Sequence, residues 1–361
     1  MRGGVAPDHQ KIKGVVKVYD RIAKHENFRY FGNVEFGRDL THAEMSDMYH
    51  QIVYAVGAQT DKSLGIPGED LSGSHAATEF VAWYNGHPDY RHLEFDLSAE
   101  TVVVIGNGNV AMDVTRILAS SPEELGKTDI ADYALEALKH SNVKRIVMLG
   151  RRGPAQAAYT NPELKEFGEL EDAQPIISEA DAHMDDLSRQ FYEETDDNSV
   201  KKNVDLVREY AAMGRDPSKS KEIVMRYLVS PIEFMGDDKL EQVTIVHNEL
   251  YLNDRGTLRP RATEETETFD AGLVFRSIGY RGVPLPDVPF YERWGTIPNN
   301  GGRVCVEHEG DVKPGDYVVG WIKRGPSGVI GTNKPDSRAT VEAMLEDLAA
   351  GTIHAPTQTD P

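Results

Sequence analysis

The sequence predicts an α/β protein whose buried strands run mostly parallel, with one such unit inserted into another. Three observations carry the prediction. Short continuous apolar runs at residues 51–56, 101–105, 144–149 and 272–278, the first three ending at a glycine, have the pattern of strands covered on both faces. Residues 76–84 and 110–118 show helical apolar spacing directly after such runs. Residues 223–229 and 242–247 alternate as antiparallel strands do, so an α/β section, a meander and a second α/β section follow one another.

The elements follow in order. Asp8 can cap a helix beginning at His9, in which Ile12, Val15, Tyr19 and Ile22 share one face. Residues 28–34 read as a strand, and 51–56 as a buried parallel strand opening into a turn at Gly57. The β-branched run 101–105 stops at Gly106, and helical periodicity resumes over 110–118, giving strand, glycine turn, helix. A polar insertion with a helix near 130–138 leads to the strand 144–149 and the turn Gly150, Arg151, Arg152, Gly153. Acidic residues gathered over 180–197 read as a solvated face, and the tail 351–361 has little to bury and is expected to be disordered.

Composition narrows the function. The chain has 361 residues, 39% hydrophobic and 27% charged, enough for two domains with separate cores. A formal net charge of -20 disfavours nucleic acid and anionic membranes, which would repel it before contacts form. The first thirteen residues are polar and basic, and no stretch approaches a membrane span, so the expected location is the cytoplasm. Cys305 is the only cysteine, which leaves no internal disulfide, no CxxC pair and no cysteine-ligated zinc or iron–sulfur centre; no metal site is read. Any electron carrier is a bound organic cofactor or a partner.

The chemistry concentrates in VVVIGNGNVAMDVTRIL. Gly106 takes the tight turn, Gly108 the point where backbone approaches a pyrophosphate, and Ala111 the helix-packing position of a Rossmann-type turn. Amides at the start of the following helix then face the phosphates, with the helix dipole behind them. The next strand ends in Arg151 and Arg152 rather than in a carboxylate, which favours a 2'-phosphate and hence NADP(H). At about 1.5 kcal/mol for each charge-assisted bond, the pair supplies ~3 kcal/mol, roughly a hundredfold preference over the unphosphorylated cofactor. An exposed basic loop is the ordinary alternative. A third segment, WIKRGPSGVIGTNK, crowds glycines before a helix near Asp336, with neither the spacing of a P-loop nor that of a nucleophile elbow.

With these segments in place, the chain resembles the adrenodoxin reductase family, and within it the actinobacterial NADPH:ferredoxin reductases. GGVAPDH, YAVGAQ, IPGEDL, GNGNVAMDV, GRRGPAQAAYT, SPIEF, SIGYRGVP and GWIKRGPSGVIGTNK run in the family's order from Gly3 to Lys334. The resemblance implies two Rossmann-like dinucleotide-binding domains, the NADP domain (99–285) inserted in an FAD domain (1–98 with 286–350). It further implies hydride transfer from NADPH to FAD and single electrons leaving to ferredoxin or a similar iron–sulfur carrier.

By motif match, Asn107, Gly108, Asn109 and Val110 would hold the NADP pyrophosphate and Arg151 and Arg152 its 2'-phosphate, with Glu163 and Lys62 completing that pocket. Trp321, Gly328, Val329 and Ile330 would border the flavin ring, Gly328 also the nicotinamide, and Phe36 would lie near the FAD adenine. His9 and Glu166 match positions near the reacting rings; their ordinary readings are a first-turn helix residue and a solvated helix acid.

The chain departs from the family at its start, where the FAD-binding strand and GxGxxG turn are not found before Gly106. The FAD domain is therefore expected to be N-terminally incomplete, with Met1 an internal start, and the chain to hold FAD weakly or not at all. Two other readings follow: an NADP(H)-binding remnant without flavin or turnover, and an electron-entry subunit like that of glutamate synthase, which the single cysteine opposes. Ferredoxins are usually acidic, so a partner needs a basic patch, for which Lys201, Lys202, Arg208, Arg215, Lys219 and Lys221 are candidates; a solvated helix face is their ordinary reading.

Overall fold

A computed structural model describes residues 5–328 and 330–358, with the side chain of Ile330 excepted. Met1, Gly3 and Val329 lie outside the described residues. The chain divides into two compact units, each assembled from two separate segments: residues 1–21 with 63–278, and 22–62 with 279–361. The expected boundary at 98/99 thus lies elsewhere, since residues 63–98 belong with the glycine-turn unit, and the boundary expected at 285/286 falls at 278/279.

In the first unit six parallel strands stand in the order Ser74–Ala76, Leu273–Arg276, Thr101–Ile105, Arg145–Gly150, Lys221–Tyr227, Ala173–Ile176. The period-2 alternation of strand side chains explains why these runs are apolar throughout. Val102 and Val104 face one core, shared with the helices Ala77–Tyr84, Asn109–Ala119 and Asp132–Lys139. Val103 and Ile105 face another, shared with a three-stranded antiparallel sheet of Val229–Met235, Gln242–Leu252 and Leu258–Asp270. The chain leaves Thr101–Ile105 toward one side and returns beside it as Leu273–Arg276, so the strand order reverses at the carboxyl ends of these two strands. Such reversal points open the crevice where α/β sheets bind ligands.

Two strand expectations change. Residues 223–229 were expected in the meander, but Lys221–Tyr227 is an interior parallel strand, because Ile223 and Met225 bury against the helices while Val224 faces the meander. Residues 28–34 form no strand; residues 16–35 are exposed throughout, including Val16, Val18, Tyr19, Ile22, Phe28, Tyr30, Phe31 and Val34. The first helix also splits, into Gln10–Lys13 and Val16–Ala23.

In the second unit Ile52–Tyr54 pairs in parallel with Val312–Val318, which continues antiparallel to Arg303–Cys305 and Asn299–Asn300. Thr60–Asp61 pairs antiparallel with Tyr280–Arg281. The helix Ile330–Ala350 begins earlier than the sequence suggests, with Pro335 inside it. The tail expected to be disordered is anchored over its described part: the His354 amide donates to the His50 carbonyl at 3.0 Å and the Thr357 amide to that of Asp47 at 2.9 Å. Among the described residues no helix is long and apolar enough to cross a membrane.

Candidate dinucleotide site

The turn after Thr101–Ile105 is built around an absent side chain. Gly106 has φ +128°, and a Cβ there would lie 2.2 Å from the Ser277 carbonyl oxygen, so any other residue would both strain the backbone and push apart the two strands at the reversal point. Gly108 has open space where a Cβ would be, and as the residue before helix Asn109–Ala119 it offers no side chain to its first amides. Those amides are free for an anion. The Asn107 carboxamide nitrogen is buried with no partner, a donor left over in the turn. The Asn109 side chain instead accepts from the Thr160 amide at 2.9 Å, tying the helix start to the next loop.

Arg151 and Arg152 follow the neighbouring strand, and a third arginine joins them. Burial lowers the pKa of Arg152, and the charges of Arg151 and Arg259 lower it further. Among the described residues none of the three forms a salt bridge. Three guanidiniums gathered without a carboxylate have the character of a site for a dianion. Asn248 steadies the turn by donating to the Arg151 carbonyl at 3.2 Å.

Further along the same helix, Asn109–Ala119, lies a second cluster. Arg116, 3% exposed, reaches Asp8 at 2.5 Å, Asp113 at 2.6 Å, Glu163 at 2.9 Å and Glu166 at 3.1 Å. His9 Nε2 lies 3.1 Å from Glu166 and 3.9 Å from Glu163. The hydrogen bond to Glu166 raises the pKa of His9 against the effect of burial. Burial works against ionisation of Asp8, yet its hydrogen bonds with Arg116 and that residue's charge hold its carboxyl below the ordinary value. Burial, and next the charge of Asp113, push Glu163 up to about 6.

That last shift fixes a pH dependence. The folded pKa of Glu163 lies above its ordinary 4.5, so its contribution to stability is present below pH 4.5 and is lost as pH rises through about 6. The difference corresponds to about 2 kcal/mol. His9, also raised, acts in the same sense from its ordinary 6.5 upward. Glu163→Gln is therefore expected to flatten the loss between pH 4.5 and 6.5, as read from denaturant unfolding at both values. An unchanged slope would assign the dependence to other groups.

In the second unit Trp321 stacks on Tyr280 with ring centroids 5.6 Å apart and planes 22° apart, while its indole Nε1 is buried without a partner. Gly320 and Gly325 beside it have positive φ and open space at the Cβ position. Gly328 also has positive φ, and a Cβ there would strike Thr332. Phe36 packs edge-on to Tyr54, centroids 6.0 Å apart.

No protein-family model matches the chain. The NADPH-ferredoxin reductase FprA of Mycobacterium tuberculosis is 46% identical over 355 residues, covering 96% of this chain and 74% of that protein. The chain belongs to this reductase family. The mitochondrial NADPH:adrenodoxin oxidoreductase of Arabidopsis thaliana is 40% identical, covering 97% of this chain and 74% of its own length. The solved structure of Mycobacterium tuberculosis FprA in complex with NADPH superposes with a TM-score of 0.90 at 46% identity, over 97% of this chain and 75% of that one. The chain is thus an α/β oxidoreductase of the ferredoxin–NADP reductase family.

Within this reductase the expected site residues fall into separate groups. Asn107, Gly108, Asn109 and Val110 form the open turn and helix start, and His9 and Glu166 meet as a hydrogen-bonded pair. Glu163 pairs with Arg116 and lies 3.9 Å from His9 Nε2. Lys62, Phe36, Trp321 and Gly328 belong to the second unit. Arg116 and Arg259 were missed. Spacing could have flagged Arg116, which interrupts the apolar face of its helix; nothing in the polar stretch around Arg259 distinguishes it. Of the proposed basic patch, Lys221 donates to the Leu118 and Ser120 carbonyls, Lys219 to those of Leu170 and Glu171, and Arg215 pairs with Glu222. These three cations serve the fold.

Proposed function

We propose that the chain is an NADPH:ferredoxin oxidoreductase, passing a hydride from NADPH to FAD and single electrons to ferredoxin or a similar iron–sulfur carrier. The observation that carries this reading is Arg151 and Arg152, without a salt bridge among the described residues, at the end of the strand paired with the one that runs into the open helix start. Asn107 to Val110 hold the pyrophosphate, and Arg151 and Arg152 hold the 2'-phosphate. His9, Glu163 and Glu166 position the nicotinamide and hold a proton at His9 Nε2, the atom shared between the two carboxylates. The segments 5–21 and 63–278 form the NADP unit and the remainder the FAD unit.

The residues present fit the ring end of a flavin. Trp321 offers an unpartnered buried indole N–H beside Gly320 and Gly325, which have open space; we assign Gly328 to the same border and Phe36 to the adenine end. When bound, FAD divides a hydride's electron pair into single electrons. The chain's one cysteine, Cys305, is buried, so the iron–sulfur centre comes with the partner. Identity spread over 96% of the chain supports an enzyme over a nucleotide-binding remnant. We place it in the cytoplasm.

An absorbance spectrum of the purified chain with added FAD, then NADPH, tests the reading. The flavin band is expected to bleach with NADPH, far less with NADH, and to recover on adding oxidised ferredoxin. NADPH binding with no flavin retained from excess FAD would return the chain to a nucleotide-binding remnant.

A further inference from the structure

Apart from the dinucleotide groups, the second unit gathers another set of metal-competent side chains. Asp316, in strand Val312–Val318, has a fully buried side chain, 0% exposed. His42, opening helix His42–Met48, sets Nε2 at 3.1 Å and 2.9 Å from the two carboxylate oxygens, and His354 sets Nε2 at 3.1 Å from Oδ1. The three ligand atoms all lie within 4.8 Å of one another. Gly315 makes room for this, since a Cβ there would lie 2.4 Å from the His354 ring.

The contacts around His42 Nε2 compete for its one proton. His42 Nε2 faces the Asp316 carboxylate, an acceptor, and also the Lys313 ammonium at 3.2 Å, a donor. One imidazole nitrogen cannot donate to the first and accept from the second at once. A cation shared by the carboxylate and the imidazole lone pairs removes that conflict.

We propose that His42, Asp316 and His354 form a site for a divalent transition-metal ion of the zinc type, fastening the C-terminal segment and the helix His42–Met48 to the strand Val312–Val318. Zinc–ligand distances of about 2.0–2.1 Å set the edges of a tetrahedral site at roughly 3.3 Å, a few tenths from the 2.9–3.1 Å between each imidazole and the carboxylate. Two imidazoles and one carboxylate favour zinc, cobalt or nickel over calcium or magnesium, which prefer all-oxygen shells. Lys313, 28% exposed and 3.1 Å from Asp316 Oδ2, supplies the positive charge when no metal is bound and swings to solvent when one is.

Cobalt(II) titrated into the full chain is the probe, read by the ligand-field bands that low-symmetry four-coordinate cobalt shows strongly. A saturable one-to-one spectrum, displaced by zinc, is expected. His42→Ala and His354→Ala should each weaken it by at least about 100-fold, the upper end of what changes around a metal's ligands cost. Lys313→Met keeps all three ligands, removes the competing ammonium, and should tighten binding several-fold. His9→Ala controls for the other cluster of compatible side chains, His9, Asp113 and Glu163, and should leave the spectrum unchanged. No cobalt spectrum, a spectrum that survives both His42→Ala and His354→Ala, one lost with His9→Ala, or no gain with Lys313→Met would each overturn the proposal.

Discussion

Arg116→Met is expected to destabilise the chain by about 3–5 kcal/mol at neutral pH, the range for breaking a buried charge network by removing one partner. Arg116 alone among the described residues neutralises four carboxylates at once, those of Asp8, Asp113, Glu163 and Glu166, and only 3% of its side chain meets water. Methionine keeps the unbranched apolar stem but removes the guanidinium and leaves these acids facing one another. The loss should shrink toward acid pH, where Asp113 and Glu163, already raised by burial, protonate first. Urea unfolding at neutral and mildly acid pH reads both effects. A loss under about 1 kcal/mol at neutral pH would mean that water, not Arg116, screens the cluster.

The paired change Arg151→Ala with Arg152→Ala should loosen NADPH by about 100-fold and leave NADH almost unaffected. Arg259→Ala alone should cost NADPH about tenfold, because it removes one of three cations from the same phosphate. Nucleotide titrations at two salt concentrations check this, since a charge-based preference weakens as salt rises. Equal loss of NADPH and NADH would show instead that the turn had lost its shape, a risk limited by the Asn248 side chain, which bonds to the Arg151 carbonyl rather than to either guanidinium.

The strand, glycine turn and helix over 101–119 were legible because three independent signals coincide there: a β-branched run, glycines at fixed spacing and a return of helical periodicity. The arginine pair was legible for the same reason, as an anomaly at a known place on that scaffold. Residues 28–34 misled because alternating aromatics mark a strand only where a neighbour supplies its ladder, and no described residue does. The strand Lys221–Tyr227 misled in the opposite way, since lysine, glutamate and arginine within it disguise a strand covered on both faces. Arg259 was illegible because its neighbours lie far off in sequence.

The short ribbon of Thr60–Asp61 against Tyr280–Arg281 has a consequence for how the protein is made. The Ile52–Tyr54 strand emerges from the ribosome early, yet its partner, Val312–Val318, is synthesised only after the whole intervening unit. The ribbon holds the entry and exit of that unit side by side, with the Lys62 amide donating to the Gly279 carbonyl at 3.1 Å. Once the intervening sheet has folded and brought these ends together, the loop of about 260 residues between the two strands behaves as one of about 40, which lowers the cost of closure by roughly 1.6 kcal/mol. The inserted unit therefore acts as a template for its host, and mutations that slow its folding should delay the host as well.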